Sequence, residues 1–266
     1  MVFRLLFELL LDKYYRLTRS RYLYQFSLKN IILKFINYTY TGINLKKLSS
    51  KCKNLEDYIN LVFTYRFSLF KKITLFNIIP WQNKTEIYEF CKLITPIHPE
   101  VILEIGTASG GTLFLLTKCA NPNALIISID LPEGRFGGGY PYDFKFVYKS
   151  FVSNNQKMFL FRKDSHKSST LRKVKKVLNN KFVDVLFIDG DHTYDGVKKD
   201  FEMYSPLVKK NGIIAFHDIV IVPPEIELNV EVNIFWNEIK EYFKYNEIVE
   251  DWDQGYGGIG IIRNER

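Results

Sequence analysis

From Val101 onward, short unbroken apolar runs alternate with segments whose apolar residues recur every three or four positions. Val101, Ile102, Leu103 and Ile105 are aliphatic without a polar alternate, which is the pattern of a strand buried on both faces of a parallel sheet. The same reasoning predicts further strands at 124–130, 157–162, 183–188 and 212–216. Helices are predicted between them at 111–119, about 144–154, 168–178 and 195–208, and a last one at 232–243. Strands alternating with helices imply right-handed crossovers and a sheet covered on both sides. The final strands, 246–251 and 258–263, have only the glycine-rich link Gly255–Gly258 between them and must pair antiparallel.

The N-terminal third is patterned differently. Residues 2–17 place Leu5, Leu6, Leu9, Leu10 and Tyr14 on one helical face, an amphipathic helix expected to pack on the domain or to mediate a homo-oligomer before it lies on a membrane. Helices are expected around 22–38 and 54–64, and Lys84–Leu93 has helix spacing with Ile87, Phe90 and Cys91 inward. Pro96 and Pro99 punctuate the chain before the first strand. The expected organisation is therefore a helical, basic extension or cap over residues 1–77 and a catalytic domain over residues 78–266.

Composition sharpens this division. The chain has 266 residues, 47% of them hydrophobic, enough for a sizeable core, and a net charge of +8. Residues 1–85 hold 15 Lys and Arg against 4 Asp and Glu, so the basic excess belongs to the extension. Such a segment suits anionic partners, peripheral membrane contact included, but its interleaved aromatics match no nucleic-acid module, and nucleic acid is not the expected partner. Three cysteines, Cys52, Cys91 and Cys119, have no disulfide or metal spacing. With Glu8 and Asp12 interrupting the first apolar run, the start reads neither as a signal peptide nor as a membrane span, and a cytoplasmic location is expected.

The candidate chemistry begins where the first strand opens into Gly106, Gly110 and Gly111. A turn without Cβ atoms lets a ligand approach the backbone, and the following helix points its first N–H groups at the same place. A dinucleotide fingerprint would carry glycine where Glu104 stands. Glu104-Ile105-Gly106-Thr107-Ala108-Ser109-Gly110 instead resembles the first motif of class I S-adenosylmethionine-dependent methyltransferases. That resemblance covers roughly residues 78–263 and implies an α/β, Rossmann-like, seven-stranded, mostly parallel sheet whose last strand is antiparallel. It implies S-adenosylmethionine as cofactor, held by Glu104, Gly106, Thr107, Ser109, Gly110 and Gly111. Asp130, ending the second strand, is expected on the ribose hydroxyls with Leu131 beside it, and Asp164 and Ser165 on the adenine. Arg135 and Tyr140, in a loop with three consecutive glycines, are expected near cofactor or acceptor.

Two further strands deliver Asp189-Gly190-Asp191-His192 and His217-Asp218 to neighbouring C-terminal ends, which face one crevice in an open α/β sheet. Carboxylates with an imidazole suit Mg²⁺ or another divalent metal. This half resembles the small-molecule, metal-dependent O-methyltransferases and the cephalosporin-hydroxylase-like branch. The resemblance assigns Asp189, His217 and Asp218 to a metal, with Asp189 also catalytic and near the cofactor. His192 stands where the catechol enzymes have a catalytic lysine and would be the general base; His217 departs from the usual carboxylate. Asp195, Lys198 and Asp200 read as solvated surface, and His166 as a surface histidine. The expected activity is methyl transfer to a small-molecule hydroxyl, of a sugar or glycan precursor. Two alternatives stay open: an NAD-dependent oxidoreductase or epimerase, and a non-catalytic binding module with a degenerate cofactor fold.

Overall fold

The computed structural model describes residues 28–67, 76–132, 134, 139–142, 144–153, 155–223 and 229–265. The helix expected over residues 2–17 and Arg135 lie outside the described residues.

Seven strands form one sheet: β3 (Val101–Ile105), β4 (Leu125–Asp130), β5 (Lys157–Arg162), β6 (Val183–Ile188), β7 (Val208–His217), β8 (Tyr245–Ile248) and β9 (Ile259–Arg263). Their order is β5-β4-β3-β6-β7-β9-β8. β9 runs antiparallel to both neighbours, and the other pairs are parallel. The sheet is thus the one expected, and the closing link between β8 and β9 fixes which strand is reversed. A two-stranded ribbon of β1 (Arg66–Phe67) and β2 (Phe76–Asn77) lies apart from it.

Strand side chains point alternately to two layers. Ile102, Ile126, Val185, Phe187 and Ala215 join one cluster, beneath α1 (Leu28–Ser49), α2 (Leu55–Thr64), α3 (Lys84–Ile94) and α4 (Gly111–Cys119). Leu103, Ile127, Leu186, Ile214 and Phe216 join the other, beneath α6 (Ser168–Leu178), α7 (Tyr194–Tyr204) and α8 (Val232–Ile239). Tyr38, Leu45, Ile59 and Val62 belong to the first cluster, so one core runs across the 77/78 boundary. Lys118 spans this junction: its ammonium donates to the Phe151 carbonyl at 2.5 Å and stands 5.8 Å from the centroid of the Tyr58 ring, and burial lowers its pKa to about 8.

Several expected boundaries shift. The helix expected at 144–154 is the short α5 (Phe144–Tyr148), because the chain turns at Lys149–Ser150 to bury Phe151. The strand expected at 212–216 starts at Val208, its first turn masked in sequence by the exposed Lys209, Lys210 and Asn211. The helices expected at 195–208 and 232–243 end early in 3-10 turns, Ser205–Leu207 and Lys240–Tyr242. Glu86 on α3 is fully buried, accepting N–H groups of Glu250 (3.1 Å) and Gly258 (2.8 Å) and the Gln254 amide (2.7 Å). It therefore pins the β8–β9 link to the helical layer.

Candidate active site

A cavity of about 480 Å³ opens at the C-terminal ends of β3, β4, β6 and β7. One wall is the turn after β3. Gly106 has φ +91°, and a Cβ there would stand 1.8 Å from the Asp189 carbonyl oxygen, so glycine is required for the two strand ends to meet. Gly110 and Gly111 do not line the cavity. A Cβ on Gly110 would strike the Tyr148 ring, and one on Gly111 the Ile78 carbonyl, so close packing requires glycine at both positions. Thr107 and Ser109 do line it, although the Ser109 hydroxyl donates to the Ile79 carbonyl.

Glu104 lies deeper than the turn it precedes. Its side chain shares the face of Ile102, is fully buried and is absent from the cavity wall. It accepts the Ser128 hydroxyl at 2.8 Å, while Oε1 has no partner among the described residues. Burial, helped by the charges of Asp130 and Asp189, pushes its carboxyl well up, and it braces β4 from beneath the turn through Ser128.

Asp130 stands on the wall as expected. Its Oδ2 accepts the N–H groups of Thr107 (3.2 Å) and Ala108 (2.8 Å), and Oδ1 that of Gly139 (2.9 Å). Burial raises its pKa to about 6 against the lowering effect of those donors. Leu131, Asp164 and Ser165 line the same end. Tyr140, expected near the ligand, is buried against Tyr148 with ring centroids 4.9 Å apart. Trp236 packs over Gly260, away from the cavity wall.

Asp189, His192, His217 and Asp218 converge, as the strand order requires. His192 Nδ1 lies 2.8 Å from Asp218 Oδ2, and its Nε2 3.5 Å from Asp189 Oδ1. His217 Nδ1 lies 3.0 Å from Asp189 Oδ1 and 3.3 Å from Asp218 Oδ1, while its buried Nε2 has no partner among the described residues. Asp218 adopts φ +65°, a left-handed conformation stabilised where Gly257 N–H donates to its Oδ1 at 3.0 Å. Burial alone would lower both imidazole pKa values, but the flanking carboxylates outweigh it and raise them, His217 strongly. Burial would raise Asp218, and His217 with His192 instead hold it well below the usual range. Two carboxylates and two imidazoles thus form one hydrogen-bonded cluster.

The three residues whose ligand atoms all lie within 4.8 Å of one another are Asp189, His192 and Asp218. His192 thus joins the two acids in this group, while His217, which also lines the cavity, stands against Asp189 Oδ1 through Nδ1 at 3.0 Å.

Three residues here escaped the sequence reading. Gln82, 3% exposed, donates through Nε2 to Asp189 Oδ2 at 2.6 Å and accepts the Thr112 hydroxyl at Oε1. Asp200, read as surface, is fully buried, 3.4 Å from His166 Nε2. Val197, Asp200 and Tyr204 share one face of α7, and that spacing was the available signal. His166 itself lines the cavity, its pKa raised by the Asp200 carboxylate.

Residues 103–219 match the family model described as a methyltransferase domain. The resemblance drawn from the glycine turn therefore holds over the segment from β3 to just past Asp218, and the sheet is that of a class I methyltransferase. Among solved structures of this fold, TomG, the O-methyltransferase of Streptomyces achromogenes involved in tomaymycin synthesis and solved with SAM, is similar at 14% identity. It covers 69% of this chain and 81% of its own, with a TM-score of 0.51. A Staphylococcus aureus protein described as a caffeoyl-CoA O-methyltransferase gives 18% identity, 83% and 99% coverage and a TM-score of 0.52. The uncharacterized protein y4gI of Sinorhizobium fredii is 27% identical over 129 residues, 47% of this chain and 14% of that protein. The uncharacterized protein R132 of Acanthamoeba polyphaga mimivirus is 53% identical over 36 residues, 14% of this chain and 16% of that protein. The chain thus spans about one-sixth or less of the length of these curated relatives. Among the described residues no helix is long and apolar enough to cross a membrane.

Proposed function

We propose that the chain is an S-adenosylmethionine-dependent O-methyltransferase acting on a hydroxyl of a small molecule, a sugar or glycan precursor. The observation that carries this reading is the hydrogen-bonded cluster of Asp189, His192, His217 and Asp218 at the ends of two neighbouring strands, facing a cavity whose opposite wall is the glycine turn. On this reading residues 78–266 are the catalytic unit and residues 1–77 its extension.

The cofactor would lie along Gly106–Ser109, Asp130, Leu131, Asp164 and Ser165, and supplies an electrophilic methyl group. His192 acts as the general base. Asp218, 2.8 Å from Nδ1, fixes the ring and leaves Nε2 to take the proton of an acceptor hydroxyl. The same carboxylate stabilises the imidazolium that results, and Asp189, 3.5 Å from Nε2, favours it further. Gln82 keeps Asp189 turned toward the two histidines by occupying Oδ2. Holding acceptor and donor in one cavity removes much of the entropic barrier to an in-line displacement.

Asp189, His192 and Asp218 also fit a divalent ion such as Mg²⁺, which would lower the pKa of a bound hydroxyl. His192 would then be a ligand instead of a base. Titration calorimetry with S-adenosylmethionine and with NAD, each with and without Mg²⁺, separates these readings. The expected result is binding of the sulfonium cofactor, none of NAD, and no dependence on Mg²⁺. Tight NAD binding without sulfonium binding would reverse the assignment, and binding of neither would favour a non-catalytic module.

A further inference from the structure

The cavity has two chemically unlike ends. Around Thr107, Asp130 and Asp164 it is polar and rich in backbone donors and acceptors. Around the Asp189–Asp218 cluster its wall is Trp81, Val222, Val230 and Tyr256. Trp81 and Tyr256 are 56% and 52% exposed, unusual for large aromatics that also face a cavity.

Their neighbours place them. Gln82, next to Trp81, hydrogen-bonds Asp189, and Gly257, next to Tyr256, hydrogen-bonds Asp218. The two aromatics therefore flank the acid pair from opposite sides of the chain, one before β3 and one in the β8–β9 link. Both backbones are anchored. Ile79 accepts the Ser109 hydroxyl on one side of Trp81, and Gln254 donates to the Tyr256 carbonyl at 2.6 Å while also bonding Glu86. Exposed rings on pinned backbone lose little entropy when a ligand stacks on them.

Charge narrows the ligand further. Among the described residues on the cavity wall, Lys163 is the one Lys or Arg, and it follows β5 at the Asp130 end. At the aromatic end both imidazoles are already paired with carboxylates, so nothing among the described residues there offers a free cation to a phosphate.

We propose that Trp81 and Tyr256 form the acceptor site, and that it takes an uncharged ring compound whose apolar face stacks on them while a hydroxyl reaches His192. This rests on the function proposed above and narrows it: a neutral sugar or phenolic ring fits, and a phosphorylated or nucleotide-linked sugar does not.

The test uses the full chain loaded with S-adenosylhomocysteine, with phenyl β-D-glucopyranoside as neutral probe and glucose 1-phosphate as anionic probe, read by saturation-transfer NMR and calorimetry. The neutral probe is expected to bind and the anionic one not. Trp81→Ala and Tyr256→Ala should each weaken the neutral probe about tenfold, the loss of one stacked ring, and Trp81→Phe should restore most of it. S-adenosylhomocysteine affinity should stay within about twofold in all variants, because neither ring stands at the Asp130 end. Preference for glucose 1-phosphate, no binding of the neutral probe, or wild-type affinity in both alanine variants would overturn the proposal. Failure of S-adenosylhomocysteine to bind wild-type protein would instead count against the methyltransferase reading, and the probe titrations on the unloaded protein would still decide the aromatic site.

Discussion

Asp130 and Asp218 are both acids that close a strand at the same cavity, both nearly buried, and their proton affinities are displaced in opposite directions. Asp130 is held by three backbone N–H groups, Asp218 by two imidazoles and one N–H. Dipoles from the backbone offset only part of the desolvation penalty, whereas a full positive charge at contact more than cancels it. The first acid is poised to exchange its donors for a ligand's hydroxyls, and the second is locked into the machinery that moves a proton.

The largest expected effect comes from breaking the charged side of this contrast. Asp218→Asn keeps the shape and suits the left-handed backbone at φ +65°, but leaves His217 and His192 with one carboxylate between them. A loss of about 3–5 kcal/mol in urea unfolding at pH 7 is expected, the usual cost of removing one partner from a buried pair. The complementary variant, His217→Gln, should make Asp218 resemble Asp130, with a carboxyl pKa that rises instead of falling. Carbon-detected NMR of the aspartate carboxyls reads this directly.

The second prediction concerns pH. The folded pKa of Asp130, about 6, exceeds the unfolded value near 3.8, so the native state binds this proton more tightly. Its contribution to stability is fully present below about pH 4 and is lost as pH rises through about 6. A rise of that size corresponds to about 3 kcal/mol at most. The difference in stability between wild type and Asp130→Asn should therefore move by about 2–3 kcal/mol between pH 4 and 7, in favour of the variant as pH rises. Asp218 titrates in the opposite sense: its contribution is present above the unfolded value and disappears as acid approaches its depressed folded pKa. A flat difference curve for Asp130→Asn would show that the three N–H donors offset its burial completely.

How much of this was legible in the sequence follows the same division. The strands were readable because apolar runs such as Leu186-Phe187-Ile188 end abruptly in acids, and the reversed last strand was forced by the glycines of a link too short to cross the sheet. Strand order then guaranteed that residues 189, 192, 217 and 218 would meet. Which of them would share one ligand geometry was not readable, since the direction of the Asp218 carboxylate depends on its φ +65° backbone and on Gly257, 39 residues away. The burial of Glu104 was legible in its parity with Ile102, which points both side chains into the helical layer. Asp200 was hidden by its charged neighbours Lys198 and Lys199 on the same turn.

Gln82 is the residue that no pattern could have found: a neutral amide in an unpatterned stretch, bonded to Asp189 across 107 positions. It also offers the smallest test of the contrast, because Asp189 is held by a neutral amide on one oxygen and by imidazoles on the other. Gln82→Leu removes that donor at similar volume and leaves the Thr112 hydroxyl without its acceptor. If the imidazole contacts dominate at this end of the cavity, they will keep the Asp189 carboxylate in place, and the variant should lose only about 1–2 kcal/mol, the range for one bond to a charged group. Its cofactor affinity should hardly change, since Asp130 and its donors are untouched. A loss as large as that of Asp218→Asn would mean that the amide, and not the histidines, keeps the first acid in place, because only then would freeing Oδ2 let the Asp189 carboxylate swing away from both rings.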